Sequence, residues 1–310
     1  MLLKSYDLYE VHTRQIDGSY GRHYNIATAA TSSYTAIAKH ISLDGVGIPP
    51  VTRHYQSNHQ IAGGIDIGYT LRPRNLVWKM MISAATESAF DAARDAIVEC
   101  FNPHLALRLV VTTVDGYDAG SGSGVRNGFM LDCYVNGPID FRQSEQIGYS
   151  NIVTVPLYAP DPIWRINTAY TDGWDINVAS GALNETLHYF GTWETWPVVS
   201  LSGEIEDPRI ELRWRTNIGD IYYNIDLDGT TIGAGDTYYF DLAPNAKTVV
   251  NMAGTGKVHE LADLSTFPHF KLHGKPLGEL SAAHIVNVYY TSKSGTPHLQ
   301  FLWYPRYIAI

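Results

Sequence analysis

The periodicity of the apolar residues most constrains the fold, because it is that of β-strands almost everywhere and of a helix in one place. Ile210, Leu212 and Trp214 alternate with charged residues, which predicts a half-buried strand. The 21 tyrosines, 7 tryptophans and 27 glycines favour short strands and tight turns over helical bundles. The chain is therefore predicted to be mainly β.

Nine further apolar segments are predicted to be strands: 76–82, 105–114, 129–135, 151–158, 221–227, 238–242, 248–252, 285–290 and 299–304. The one helix is predicted after Thr86, a good N-cap, with Phe90, Ala93, Ile97 and Phe101 on one face and Asn102-Pro103 as its end. The glycine-rich segment 115–124 is expected to be a hairpin tip.

With 310 residues the chain exceeds what one core usually organises, and two domains are expected. The prolines at 160 and 162 end the strand pattern of the first domain, so that domain is predicted to span residues 1–165. Residues 166–192 have little regular period and are expected to be a connector. The alternating segments at 193–310 predict an antiparallel β-sandwich.

The net charge of −9, with no run of Lys or Arg, argues against binding of nucleic acid over the bulk surface. No signal peptide or membrane-spanning stretch is evident, so synthesis and folding in a cytoplasm are expected. Cys100 and Cys133 have no metal-binding or disulfide-framework spacing, and both are predicted to be buried thiols.

No motif predicts catalysis, a cofactor or a metal. His269 and His273 are four apart, but Pro268 and the lack of helical period favour a loop in which the rings separate. A calcium loop starting at Asp226 fails at Thr231 and Thr237, which replace the required Gly and Glu. A phosphate loop at 254–257 lacks its upstream Gly and following Ser or Thr, and 120–124 lacks the centre of a serine-nucleophile elbow. The prediction is no enzyme and no cofactor.

Exposed tryptophans on a β-sandwich can stack on sugar rings, which makes Trp193, Trp196 and Trp214 a candidate carbohydrate platform. The favoured interpretation is that Trp196 and Trp214 belong to the core, which leaves Trp193 as the candidate glycan-binding residue. The alternative function is therefore a carbohydrate-binding module that recognises glycans of a host surface.

Residues 52–67 form a long polar segment between two clusters of Gly and Pro. Leu43-Asp44-Gly45-Val46-Gly47-Ile48-Pro49-Pro50-Val51 precedes it and Gly68-Tyr69-Thr70-Leu71-Arg72-Pro73-Arg74 ends it. Long connections of this kind in a compact domain usually have a function. The segment is predicted to be an arm that reaches a neighbouring molecule.

These two motifs, together with Phe101-Asn102-Pro103, Ala159-Pro160-Asp161-Pro162-Ile163-Trp164 and the closing Trp303-Tyr304-Pro305-Arg306-Tyr307-Ile308, resemble the distal tail (Dit) proteins of bacteriophages with long non-contractile tails. The resemblance runs in the same order over residues 43–310. It implies a tail-tube-like β-sandwich or partial barrel with one flanking helix, followed by a galectin-like β-sandwich.

The resemblance also implies a structural protein of the virion, located at the tail tip and assembled in the host cytoplasm. Its partners would be five further copies in a homohexameric ring, the tail-tube protein, the tail-associated hub or fibre protein, and receptor-binding proteins. DNA would pass through the ring without specific binding, and no part would insert into a membrane. Residues 193–310 leave no room for an inserted carbohydrate-binding module of the kind that some relatives carry.

In this family the arm would be a belt-like hairpin, about residues 45–72, that lies across an adjacent subunit. The expected interface residues are His54, Tyr55, His59, Ile61, Ile65, Arg72 and Arg74. The residues expected to shape the arm are Gly45, Gly47, Pro49, Pro50 and Pro73. The segment 60–65 is neutral, so apolar insertion by Ile61 and Ile65 is expected rather than ion pairing.

Overall fold

The structure is a computed structural model that describes residues 6–14, 20–27, 38–57, 64–113, 128–141, 147–166, 168–177, 183–216, 219–227, 229–244, 246–261, 265–275 and 282–309. The predicted hairpin tip at 115–124 lies outside these residues. The chain divides into two compact units, one formed by Met1–Asn167 with Tyr307–Ile310 and the other by Thr168–Arg306.

The strands of the first unit are β1 (Tyr6–Arg14), β2 (Tyr20–Ala27), β3 (Ala38–Asp44), β4 (Val51–Ser57), β5 (Gly64–Leu71), β6 (Arg74–Ser83), β7 (Ala106–Thr113), β8 (Gly128–Val135), β9 (Asp140–Phe141), β10 (Ser150–Ala159) and β11 (Trp164–Ile166). The strands that follow are β12 (Tyr170–Asp175), β13 (Leu183–Tyr189), β14 (Val198–Ser202), β15 (Ile205–Glu206), β16 (Arg209–Thr216), β17 (Gly219–Asp226), β18 (Thr231–Ile232), β19 (Thr237–Asp241), β20 (Thr248–Asn251), β21 (Ala282–Tyr289), β22 (Ser292–Lys293), β23 (His298–Trp303) and β24 (Arg306–Tyr307). The chain is mainly β, as predicted.

The first unit is built on a sheet with the strand order β24-β11-β8-β7-β1-β2-β3-β6-β10-β9. Strand β10 pairs with β6 along its full length and also with the end of β8, so the sheet curls back on itself as a partial barrel. Strands β1 and β2 pair with each other, and β1 also pairs with β7, which places the start of the chain inside this sheet.

One helix, α1 (Glu87–Cys100), flanks the sheet as predicted. The hydroxyl of Thr86 accepts a hydrogen bond from the amide of Ala89 at 3.3 Å and so caps the first turn. The side chains of Phe90 and Ile97 are buried. Phe101, just after the helix, meets the ring of Trp78 edge to face at 5.9 Å.

The second unit is a two-sheet β-sandwich, as predicted. A five-stranded sheet has the order β12-β23-β14-β19-β20, and a four-stranded sheet has the order β13-β21-β16-β17. Both contribute to a single core, for example Val199 and Phe301 from the first and Leu212 and Val286 from the second. A small sheet, β18-β15-β22, completes this unit among the described residues.

Two expectations about the domain boundaries are wrong. Residues 166–192, expected to be a connector, supply β12 and β13, which pair with β23 and β21. Their alternation is hard to recognise in the sequence because β12 is an edge strand whose residues are exposed or half-buried. Residues 307–310 return to the first unit, where Tyr307 packs edge to face on Phe129 at 5.4 Å.

Candidate subunit interface

The arm predicted from the sequence is a β-hairpin formed by β4 and β5. Val51 lies opposite Leu71, Arg53 opposite Tyr69, and a bulge follows His54. Among the described strands, these two pair only with each other. None of the residues 51–56 or 66–71 is buried. An isolated two-stranded hairpin is only marginally stable in water.

Polar contacts hold the two strands of the arm in register. The guanidinium of Arg53 donates to the carboxylate of Asp66 at 2.8 Å, and His54 and Thr70 are joined by a side-chain hydrogen bond. The amide of Gly68 also donates to Asp66 at 3.0 Å. The Gly68 amide and the neighbouring Arg53 keep the pKa of Asp66 below its usual value. Arg53 and Asp66 thus form their ion pair within the arm.

Large apolar side chains of the arm face solvent. The exposed fractions are 44% for Val51, 62% for Tyr55, 61% for Ile67 and 52% for Tyr69. By the strand register, Val51, Tyr55 and Tyr69 share one face. Concentrated apolar exposure of this kind is typical of interaction surfaces. We name these four residues the apolar patch of the arm.

The base of the arm is fixed by backbone geometry. The amide of Arg72 donates to the carbonyl of Pro50 at 2.7 Å and closes the hairpin. Gly45 has a φ of +93°, and a Cβ atom there would lie 2.3 Å from the carbonyl oxygen of Asn75. At Gly47 a Cβ atom would meet nothing within 4 Å. Pro49 is buried, so the loop between β3 and the arm is anchored in the first unit.

Arg74 does not lie where the sequence suggested. It is only 1% exposed in the single chain, so the expectation that it belongs to a subunit interface is wrong. Its guanidinium donates to the carbonyls of Gly45, Gly47, Pro162 and Ile308, and its five N–H groups are all used. Burial lowers its pKa to about 10. The Arg74 side chain therefore connects separate segments within one protomer.

The other residues predicted at the interface differ in their exposure, and some lie outside the described residues. Tyr55 and His54 are exposed on β4, and Arg72 is exposed at the base with Pro73 half-buried beside it. Ile65 lies opposite Gln56 in the register of the hairpin. His59 and Ile61 lie outside the described residues. Sequence reasoning missed Val51, Ile67 and Tyr69, although aliphatic and aromatic residues in a polar segment are a signal that could have identified them.

The three candidate tryptophans of the second unit, Trp193, Trp196 and Trp214, are half-buried. The backbone amide of Trp193 donates to the carbonyl of Arg306 at 3.0 Å, and its carbonyl accepts from the hydroxyl of Tyr189 at 2.6 Å. Trp196 packs against the core. Trp214 is stacked on His273 with ring centroids 3.9 Å apart. Trp196 is thus partly buried against the core, whereas Trp214 is not among the core residues, so the interpretation of Trp214 as a core residue is not met.

The described residues contain no cluster of three or more His, Cys, Asp or Glu side chains able to hold a metal ion. Within the same residues, no helix has the length and apolar character needed to cross a membrane. Cys100 and Cys133 are buried and free, as predicted.

A scan against protein-family models and a search of curated proteins give no match. Solved structures do match. The Dit protein of phage SPP1, a hub of the adsorption apparatus in phages that infect Gram-positive bacteria, superposes with a TM-score of 0.56 at 10% identity, over 96% of this chain and 98% of that chain. A chain of the phage P2 baseplate in its activated, calcium-containing conformation gives a TM-score of 0.46 at 8% identity, over 98% and 99% of the two chains. The chain has the fold of a phage distal tail protein.

Proposed function

We propose that this chain is a structural hub protein of a phage tail tip and has no catalytic activity. The observation that carries the proposal is the likeness of its fold to the SPP1 Dit protein, which extends over 96% of this chain and 98% of that one. Six copies would form a ring that joins the tail tube to the tail-associated hub or fibre. The ring would continue the channel through which DNA leaves, and the net charge of −9 suits a lumen that must not retain phosphates.

The arm supports a ring closed by contacts between copies. A ring is a heterologous assembly, in which a surface on one copy meets a different surface on the next. The hairpin of β4 and β5 supplies such a surface, because its apolar patch is solvent-exposed and its strands have no further partner strand among the described residues. In the proposal, the patch lies across the adjacent subunit and adds buried area to the interface between the domains.

The location is tested by imaging phage particles that carry a tagged copy of this chain. We expect a label confined to the tip of the tail, at the end of the tube. A label along the tube, on the head or absent from intact particles would refute the proposal.

The role of the arm is tested by Tyr55→Lys combined with Ile67→Lys, which places charge in the apolar patch. We expect this variant to fold but to lose ring formation in negative-stain images and native mass spectrometry of the assembled tail tip. The matched control is Tyr239→Lys, at a residue of the second unit with 41% exposure. Removal of His59 to Ile65 should have the same effect as the double variant. Normal rings from both arm variants would show that the arm is not the subunit clasp.

A further inference from the structure

The outer face of the sheet in the first unit is largely apolar. In β6 and β10 every second side chain is buried, including Trp78 and Val155, and the side chains between them face away from the core. An antiparallel sheet is commonly polar on such a face. On these two strands the face instead carries Val77, Met81, Ile152, Pro156 and Tyr158. Its apolar character is therefore not explained by packing in the core of the protomer.

The strand register gathers these residues into one surface. Val77 lies opposite Pro156 of β10, and on the same side Tyr158 lies opposite Tyr134 of β8. The exposed fraction is 37% for Val77 and 45% for Tyr134. Ile41, at the bulge of β3 beside β6, is also exposed. We name as the apolar sheet face the residues Val77, Met81, Tyr134, Ile152, Pro156 and Tyr158.

Few charges interrupt this surface. The charged residues on this side of β3, β6 and β10, strands that the structure describes in full, are Lys39, Lys79 and Asp44. By contrast, the exposed Val98 of α1 lies one turn after Asp95 on a charged helix surface. Contiguous apolar exposure marks an interaction surface, whereas a single exposed valine is ordinary. The apolar sheet face is thus the better candidate for contact with another molecule.

The arm continues the strand pair β3 and β6 beyond the ends of these strands. Residues 45–50 join β3 to β4, and residues 72–73 join β5 to β6. The hydrogen bond from the amide of Arg72 to the carbonyl of Pro50 holds the two sides of the arm together at this point. Tyr55 of the arm and Val77 of the sheet face are both exposed in the single chain. The arm therefore does not cover the sheet face of its own protomer.

The arm and the sheet face match in size. Strand β4 has 7 residues and β5 has 8, so the hairpin is about 25 Å long. Strands β6 and β10 have 10 residues each and are about 33 Å long. A two-stranded hairpin can therefore lie along the sheet face within its length, in the way that two β-sheets pack face to face.

We propose that the apolar sheet face of one copy receives the arm of a second copy. The face of the arm that carries Val51, Tyr55 and Tyr69 packs on Val77 and its neighbours. Arg53 and Asp66 of the arm form an ion pair, so they bring no net charge to the contact. The inference rests on the proposed assembly of copies into a ring, and it supplies the second, different surface that a heterologous contact requires.

The test is cross-linking with a bismaleimide in tail tips assembled from equal amounts of two full-length variants, Tyr55→Cys and Val77→Cys. Both substituted side chains are exposed, and the natural thiols Cys100 and Cys133 are buried, so the new thiols are the ones that react. We expect covalent dimers on a denaturing gel from the mixture and none from either variant alone. The matched control is a mixture of Tyr55→Cys with Val98→Cys, which should remain monomeric.

The other outcomes separate the docking surface from the ring itself. Dimers from Tyr55→Cys alone would show that arms meet each other and would overturn the proposal. Rings in electron micrographs of a mixture that yields no dimers, or as many dimers from the Val98→Cys control, would overturn the sheet face and leave the proposed function standing. A link from Val77→Cys to a different tail protein, in place of the arm, would also overturn it. Dimers in a sample that contains no rings would support the docking surface and refute the ring.

Discussion

Arg74 and Pro162, 88 positions apart, are joined by two hydrogen bonds from one guanidinium to one carbonyl oxygen, at 3.0 and 2.8 Å. The same guanidinium also bonds Ile308, near the end of the chain, and two carbonyls at the base of the arm. One side chain therefore ties the root of the arm to two distant segments of the first unit.

Arg74→Leu is expected to destabilise the first unit by about 3 kcal/mol or more, because the carbonyls of Gly45, Gly47, Pro162 and Ile308 lose a charged donor. Arg74→Lys should lose less, since it keeps the charge but has three donors in place of five. The measurement is denaturant unfolding followed by the fluorescence of Trp164, whose ring lies 5.9 Å from the guanidinium carbon. Arg72→Leu, at an exposed arginine two residues earlier, should change stability by no more than about 0.5 kcal/mol. Equal effects at the two positions would contradict this role of Arg74.

Gly45→Ala and Gly47→Ala form a matched pair at the base of the arm. Gly45 has a positive φ, and its added methyl would meet the Asn75 carbonyl, so we expect a loss of about 2 kcal/mol or more. Gly47→Ala should be neutral or slightly stabilising, because the space is open and the unfolded chain loses freedom. The stability of the two variants is measured by thermal unfolding. If Gly45→Ala left the stability unchanged, the base of the arm would not be constrained as described.

The histidines of the second unit predict loss of stability in acid. Burial lowers the pKa of His284 to about 3 and that of His273 to about 4. In the unfolded chain both have a pKa near 6.5, so between these values the unfolded state binds more protons. Stability is thus complete above about pH 6.5 and falls progressively as the pH drops toward the two folded-state values.

Each of the two histidines should contribute on the order of 3 kcal/mol to this loss between pH 7 and pH 4. The measurement is the free energy of unfolding of the second unit, obtained by urea unfolding at pH values between 7 and 4. In His284→Asn the slope against pH should be smaller than in the natural protein, whereas His259→Gln, at a side chain with 76% exposure, should keep the full slope. If the slope of stability against pH were the same in the natural protein and in both variants, His284 would not be a source of the acid sensitivity.

The two thiols should be inert in the folded protein. Burial raises the pKa of Cys133 to about 12 and also raises that of Cys100. Only the thiolate reacts, so at pH 8 about one Cys133 side chain in ten thousand is in the reactive form. A thiol reagent such as Ellman's reagent should therefore detect no fast-reacting group in the native protein and two per chain in guanidinium. Rapid reaction under native conditions would indicate that the core of the first unit opens readily.

The helix α1 and most strands could be predicted from local pattern. Thr86 and the spacing of Phe90 and Ile97 give the helix its cap and its buried face within one short segment. The alternation in β16 and β17 likewise depends only on neighbouring residues. The periodicity of apolar residues and the secondary-structure propensity of each segment can be read directly from the sequence.

Strands β12 and β13 could not be predicted in this way, since their identity depends on pairing with β23 and β21, which lie far later in the chain. The candidate site was predicted only in outline. The Gly and Pro clusters marked the arm, but that Val51, Tyr55 and Tyr69 of the apolar patch share one face followed only from the hairpin register.

The sequence by itself determined that this protein is mainly β, has one capped helix and carries a polar arm between turn signals. Only the tertiary structure decided that Arg74 is buried within the protomer and that residues 166–192 supply two strands of the second unit. The physical reason is that burial and hydrogen bonding are set by atoms brought together from distant positions. An arginine that follows a proline has the same local sequence whether its donors face water or the carbonyls of Gly45, Pro162 and Ile308.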